Sequence, residues 1–372
     1  MDEEERDITD LVNRYEQMLE TGTAVYFDTE EFDDLAAYYD MLDEVDKAKE
    51  IIETGLKIHP GNQMLLLARA KFMTDDAGYQ KTLDYLNETF DGYDVELYLL
   101  KIECLLQLEQ PEQAATLAEE LLNDDELDEE IILAELGFTY ADADYFEDAI
   151  ALLEQSLACN PENIDVLTEL SYAYEMCDDF DKAIAVSNKA LDIDPYACDV
   201  WINLGKYYTM QDNYEKAIDA FDFALAVSAD GYEVMKLKAH CLSLCGKIDE
   251  AIALFEECIA SNRADDLLYY TMADCYFSME RYDDMLKCLD KYEELHGKSP
   301  EIFAKKALGW LQKNNLEKAC ASLMSGMEID PESEDLSIVT GEFYFRLGEY
   351  SNAEFFFLHA YERDSSDVIM ID

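Results

Sequence analysis

A chain whose apolar residues return at one fixed interval can bury them only by stacking copies of one unit, and the stretch from Cys198 to Gly231 gives that unit in its clearest form. Trp201, Leu204, Gly205 and Tyr208 share one helical face; after a break at Gln211, Asp212 and Asn213 so do Ala217, Phe221 and Ala224. The small residues Gly205, Ala217 and Ala224 let two backbones approach, and Trp201, Tyr208 and Phe221 fill the space between them. The expected unit is a helical hairpin.

These residues resemble the tetratricopeptide repeat, a 34-residue motif with W, L, G, Y, A, F, A and P at positions 4, 7, 8, 11, 20, 24, 27 and 32. All but the last are met, the closing Pro being replaced by Ala229. One hairpin leaves a face uncovered and needs neighbours. Stepping by the period finds them: Leu167, Leu170, Ser171, Tyr174, Ala183, Ala190 and Pro195 in one, and Leu133, Leu136, Gly137, Tyr140, Ala149, Leu153 and Pro161 in the one before. Nearer the start, 29–62 is clear and 63–95 degenerate. The stretch 96–129 reads as a hairpin only if its turn at Gln110 and Pro111 is one residue short, with Ala114, Ala118 and Leu121 inside. Further repeats fall near 130–163, 164–197, 198–231, 232–265, 266–299, 300–333 and 334–367, the ninth opening with Ser299 as N-cap and Pro300 at the first helical position.

The resemblance therefore implies an all-α protein, a right-handed superhelical solenoid of about ten hairpins forming one continuous domain over 29–367. Residues 1–28 are expected to comprise a charged tail over 1–7 and a capping helix over Ile8–Leu19 ended by Gly22; 368–372 is a short apolar tail. No signal peptide or transmembrane pattern is seen, and the ten cysteines sit mostly at packing positions, which together predict a reducing, cytoplasmic location. Cys241 and Cys245 lie one turn apart, but a zinc site wants about four ligands. No metal or other cofactor is expected.

The formal net charge is −59, heaviest in the first half. Such a field repels nucleic acid and attracts basic proteins, although solubility alone is also served by it. The run Asp124–Glu130 lacks the spacing and central Gly of a calcium loop and reads as a solvated turn.

In the family, positions 2, 5, 6, 9, 12 and 13 of the first helices line a concave groove. Carried over, they make the N-terminal groove acidic, with Glu30, Asp33, Asp34 and Asp40, then Asp165, Thr168, Glu169, Tyr172 and Glu175. Further on they give Asn203, Lys206, Lys236, His240, Tyr270, Asp274, Phe277 and Lys305, a mixture suited to a peptide or protein segment. The family's carboxylate clamp is absent, since Thr168, Tyr172, Glu233 and Leu237 stand where it would surround Asn203. An asparagine ladder is absent too. No catalytic motif appears, and two tryptophans are too few for a sugar-binding toroid.

The implied function is a non-catalytic scaffold or adaptor binding a protein or peptide, with the acidic charge pointing to a basic one. Alternatives are an acidic chaperone or decoy, or an accessory subunit of a larger enzyme. The last second helix, YSNAEFFFLHAYERD, leaves Phe355, Phe356 and Tyr361 apolar, so this end is expected to self-associate as a homodimer unless the tail Val368–Ile371 covers it.

Overall fold

The computed structural model describes residues 3–21, 25–227, 231–261 and 267–363, which hold 21 α-helices and no strand. Contacts divide the chain into two compact units, Met1–Ile193 and Asp194–Asp372. In the first, α1 (Glu3–Thr21) precedes the pairs α2 (Thr29–Met41) and α3 (Val45–Ile58), α4 (Gln63–Ala77) and α5 (Tyr79–Thr89), α6 (Val95–Gln107) and α7 (Pro111–Leu122), α8 (Glu129–Asp142) and α9 (Phe146–Cys159), and α10 (Ile164–Met176) and α11 (Phe180–Ile193). In the second the pairs are α12 (Cys198–Met210) and α13 (Tyr214–Val227), α14 (Tyr232–Leu244) and α15 (Ile248–Ala260), α16 (Leu267–Ser278) and α17 (Tyr282–His296), α18 (Pro300–Gln312) and α19 (Leu316–Met327), and α20 (Glu334–Leu347) and α21 (Tyr350–Arg363). Each pair packs as a hairpin, and within each unit first helices also touch first helices, as α2 does α4 and α6 does α8.

The turn inside most hairpins has three residues, and its middle one is left-handed: Asp43, Glu109, Asp144, Asp178, Asp212, Gly246, Glu280 and Asn314 all have positive φ. In the turn after α12 the Asn213 amide donates to Tyr208 O at 2.8 Å and the Asp212 amide to Thr209 O at 3.0 Å. That double bond satisfies helix-terminal carbonyls in a Schellman arrangement. Starts are sealed as well, by side-chain oxygens of Asp28, Asn62, Asp94, Asp128, Asn163 and Ser299 that accept first-turn amides.

The small residues do bring backbones together. A β-carbon on Gly137 would stand 2.4 Å from a Leu153 methyl, and one on Gly205 2.4 Å from the Phe221 ring. A second packing position, absent from the 34-residue signature, is the third of each repeat from the second onward, with the third repeat counted from Val95. Leu65, Leu97, Ile132, Val166, Val200, Val234, Leu268, Ile302 and Leu336 are all aliphatic and at most 4% exposed. Leu336 shows what they do: its methyls lie flat on α19, under 3 Å from where a Gly326 β-carbon would be. Leu65 does the same on α3, 3.0 Å from where a Gly55 β-carbon would be.

Some expectations shift. The turn at Leu108–Gln110 has the full three residues; the second helix comes early because α6 starts at Val95, and Ala114, Ala118 and Leu121 are buried. Helix α1 starts at Glu3 rather than Ile8, since a Glu-rich stretch propagates helix well. Tyr207, not Tyr208, is fully buried, and Trp201 is only half-buried, stacked on Phe223 at 4.6 Å and donating to Pro195 O at 2.9 Å. Gly22, Ala229 and the tail Val368–Ile371 lie outside the described residues.

Candidate functional site

Polar positions stay open on the first helices because the second helices and the next hairpin claim their other faces. In the unit Met1–Ile193 this face is acidic. Asp33 on α2, Glu103 on α6, Asp142 on α8 and Glu169 on α10 all have carboxyl pKa values raised, first by burial. The next largest influence at Glu103 is Asp142, followed by Asp75 of α4, and at Glu169 it is again Asp142. Lys71 opposes the shift at Asp33 and Glu103, and its Nζ lies 3.6 Å from Glu96. Carboxylates from neighbouring helices thus sit partly desolvated and within each other's field, a face prepared for positive charge.

Tyr172, at 40% exposure, borders this row and packs edge-on against Phe146 at 6.0 Å. Its hydroxyl pKa is raised by burial and then by Glu169. Thr168 turns its hydroxyl back to Ile164 O at 2.9 Å. Asp75, Glu103 and Asp142 were not singled out from sequence. Position 13 of the degenerate second repeat gives Asp75, position 9 of the third repeat in its true register from Val95 gives Glu103, and position 13 of the repeat 130–163 gives Asp142.

In the unit Asp194–Asp372 the expected residues form separate groups. Lys305 of α18 ion-pairs with Asp274 of α16 and holds its Nζ 3.9 Å above the Tyr270 ring, which leans on Tyr292 at 5.1 Å. Lys236 and His240 of α14 border a recess of about 240 Å³ floored by Leu237, Phe255 and Leu268. Lys236 also pairs with Glu233 at 2.8 Å and lies over the Tyr232 ring. Asn203 is half-buried and Lys206 exposed on α12, while Phe277 packs edge-on against Tyr282 at 5.8 Å beside its hairpin turn. Charge on this face is therefore largely neutralised by its own neighbours.

Among the described residues no group of three or more His, Cys, Asp or Glu is placed to hold a metal ion. Cys241 shares a hydrogen bond with Thr209 at 3.1 Å and Cys245 donates to Leu242 O. None of the described helices is long and apolar enough to cross a membrane. At the last hairpin Phe355 is 62% exposed, but Phe356 is stacked on Tyr344 at 5.6 Å, and Tyr361 is half-buried.

Two segments, 152–185 and 244–308, match the tetratricopeptide repeat family. Solved structures with similar folds include a tetratricopeptide repeat protein from Parabacteroides merdae ATCC 43184, at 17% identity and a TM-score of 0.47, covering 70% of this chain and 98% of that one. YrrB, described as a TPR protein with an unusual peptide-binding site, aligns at 18% identity and 0.43, over 50% of this chain and 95% of its own. PilW, a type IV pilus biogenesis factor, aligns at 20% and 0.48, over 57% and 98%. No match is found among curated proteins.

Proposed function

We propose, from the premise that this chain is a tetratricopeptide-repeat (TPR) protein, that it acts as a non-catalytic scaffold holding a protein or peptide segment along the exposed faces of its first helices. The observation that carries the reading is the row of raised carboxyls Asp33, Glu103, Asp142 and Glu169, contributed by four first helices of one unit. A Lys or Arg of a partner would relieve both the burial and the mutual repulsion, so the segment bound there is basic. Tyr172 offers it a flat apolar edge beside the acids.

In the second unit Asn203, Lys206, Lys236, His240, Tyr270, Asp274, Phe277 and Lys305 are the proposed contacts for polar backbone and side chains of a partner. Lys305 must release Asp274, and Lys236 must release Glu233, to engage one, which makes Lys206 the better anchor. A cytosolic setting fits the use of Cys104, Cys241, Cys258, Cys275 and Cys288 as buried hydrophobes.

The same acid row also favours a second reading, an acidic chaperone or decoy that holds basic proteins by field. A pull-down from native cytosol at low and moderate ionic strength separates them. Binding that survives the higher salt but fails after Tyr172→Ala or Asp142→Asn supports the scaffold, whereas binding abolished by salt and indifferent to Tyr172→Ala supports the decoy.

A further inference from the structure

One ionic contact recurs between successive hairpins. Arg69 of α4 reaches back to Glu53 of α3 with hydrogen bonds of 2.6 and 2.5 Å, Lys238 of α14 to Asp222 of α13 at 2.5 Å, and Lys306 of α18 to Asp290 of α17 at 2.5 Å. Each cation is the seventh residue of its first helix, and each acid stands sixteen residues earlier, on the second helix of the hairpin before. The three cationic side chains are only 9 to 33% exposed, so the aliphatic stem is covered and the charged head meets the acid.

The hairpin of α10 and α11 keeps the acid but lacks the cation. Leu170 is the seventh residue of α10, and sixteen residues before it stands the exposed Glu154 of α9. Here a recess of about 530 Å³ is open, lined by Glu154 together with Leu157, Leu167, Leu170 and Val186. The replacement recurs three periods on, where Met272 follows Glu256 and both line a recess of about 310 Å³. Glu154 accepts the Tyr174 hydroxyl on Oε1 at 2.5 Å, and a carboxylate has room for further donors.

We propose that the recess between α9, α10 and α11 takes an arginine side chain of a partner protein, which enters where Arg69, Lys238 and Lys306 supply the cation elsewhere. Its stem lies against Leu157, Leu170 and Val186 and its guanidinium on Glu154, as Arg69 lies on Glu53. None of the lining residues belongs to the acid row or is Tyr172, so this contact goes beyond the reading above and stands without it. Two lysines also line the recess. Lys182 is neutralised by Asp179 at 2.8 Å, whereas Lys189 opposes the incoming charge, which fixes the sign of its effect.

The test is methyl NMR of the full chain titrated with the pentapeptide acetyl-ALRLA-amide, whose single charge keeps attraction by the general field small. The methyls of Leu157, Leu170 and Val186 are expected to shift. Glu154→Gln should weaken this binding about threefold to fivefold, the worth of an exposed ion pair, and Lys189→Gln should strengthen it about twofold. Leu170→Lys, which supplies the cation from within, should abolish it, and Asp142→Asn in the acid row should leave it unchanged. Should Leu170→Lys not fold, the two changes at exposed positions, Glu154→Gln and Lys189→Gln, decide alone. Unmoved methyls, an affinity indifferent to Glu154→Gln or lowered by Lys189→Gln, or a folded Leu170→Lys chain that binds undiminished overturns the proposal. So does tighter binding of acetyl-ALELA-amide, which would make the recess a site for an acid.

Discussion

Replacing Gly205 by Ala should destabilise the hairpin of α12 and α13, although the same change in an exposed helix would strengthen it. The gain in helix propensity is about 1 kcal/mol. Against it, the new β-carbon would stand 2.4 Å from Cε1 of Phe221 and 2.7 Å from two further ring carbons, and Phe221 has no exposed surface into which to move. Overpacking of this kind costs about 1 to 3 kcal/mol, so the net loss should be about 1 kcal/mol. The chain contains the compensated version: α16 and α17 pair Ala273 with Leu289, both fully buried. Gly205→Ala combined with Phe221→Leu should therefore be more stable than the sum of the two single changes. Urea unfolding followed by the fluorescence of Trp201, which stacks on Phe223 of the same hairpin, reads the effect locally. A midpoint raised by Gly205→Ala, or a double variant no better than additive, would refute the reasoning.

Ile302→Ala removes three carbons from a side chain with no exposed surface, worth about 2.4 kcal/mol before any cavity; in urea unfolding it should cost at least about 2 kcal/mol, with the adjacent Glu301→Ala near zero. Glu280 has φ 58°, a conformation that burdens a residue with a β-carbon by about 1 to 2 kcal/mol, so Glu280→Gly should gain about 0.5 to 1 kcal/mol after glycine's own entropy in the same assay. Because Asp33, Glu103, Asp142 and Glu169 have raised folded pKa values, the stability they contribute is full below the unfolded carboxylate range and is lost as pH rises through the folded values. The urea midpoint of the wild type should accordingly be higher near pH 5 than at pH 7, and Asp142→Asn should narrow the difference. The same variant should weaken binding of a lysine-rich peptide a few-fold in a titration; unchanged affinity would remove the acid row from the site.

The fold was legible because Gly137, Gly205 and Gly341 each face a large partner, Leu153, Phe221 or Phe357, and such pairs recur at one interval. What escaped the sequence had identifiable causes. An aliphatic residue near the start of a helix is too common to stand out, so the seal formed by Leu65, Ile302 and Leu336 became visible only through its uniform burial. Tyr207 and Tyr208 are adjacent and alike, and only the packing decides which ring goes inward. Asp33 and Glu169 of the acid row were legible, whereas Glu103 was displaced by the early start at Val95 and its neighbour Asp75 lay in the degenerate second repeat; the raised protonation depends on desolvation, which composition does not report. Of the expected contact residues, the structure joins Tyr270, Asp274 and Lys305 and sets Lys236 beside His240. It leaves Tyr172 in the other unit.

The seal at the third position has a consequence for how the protein comes apart. Within a unit a hairpin such as α18 and α19 is closed by a side chain of the one that follows, so loss of the later hairpin lays bare the earlier, and within that unit fraying should travel in whole steps. A protease given limiting time would then leave a ladder of products spaced by single hairpins, each rung ending where a Val, Ile or Leu had been withdrawn from its neighbour's back.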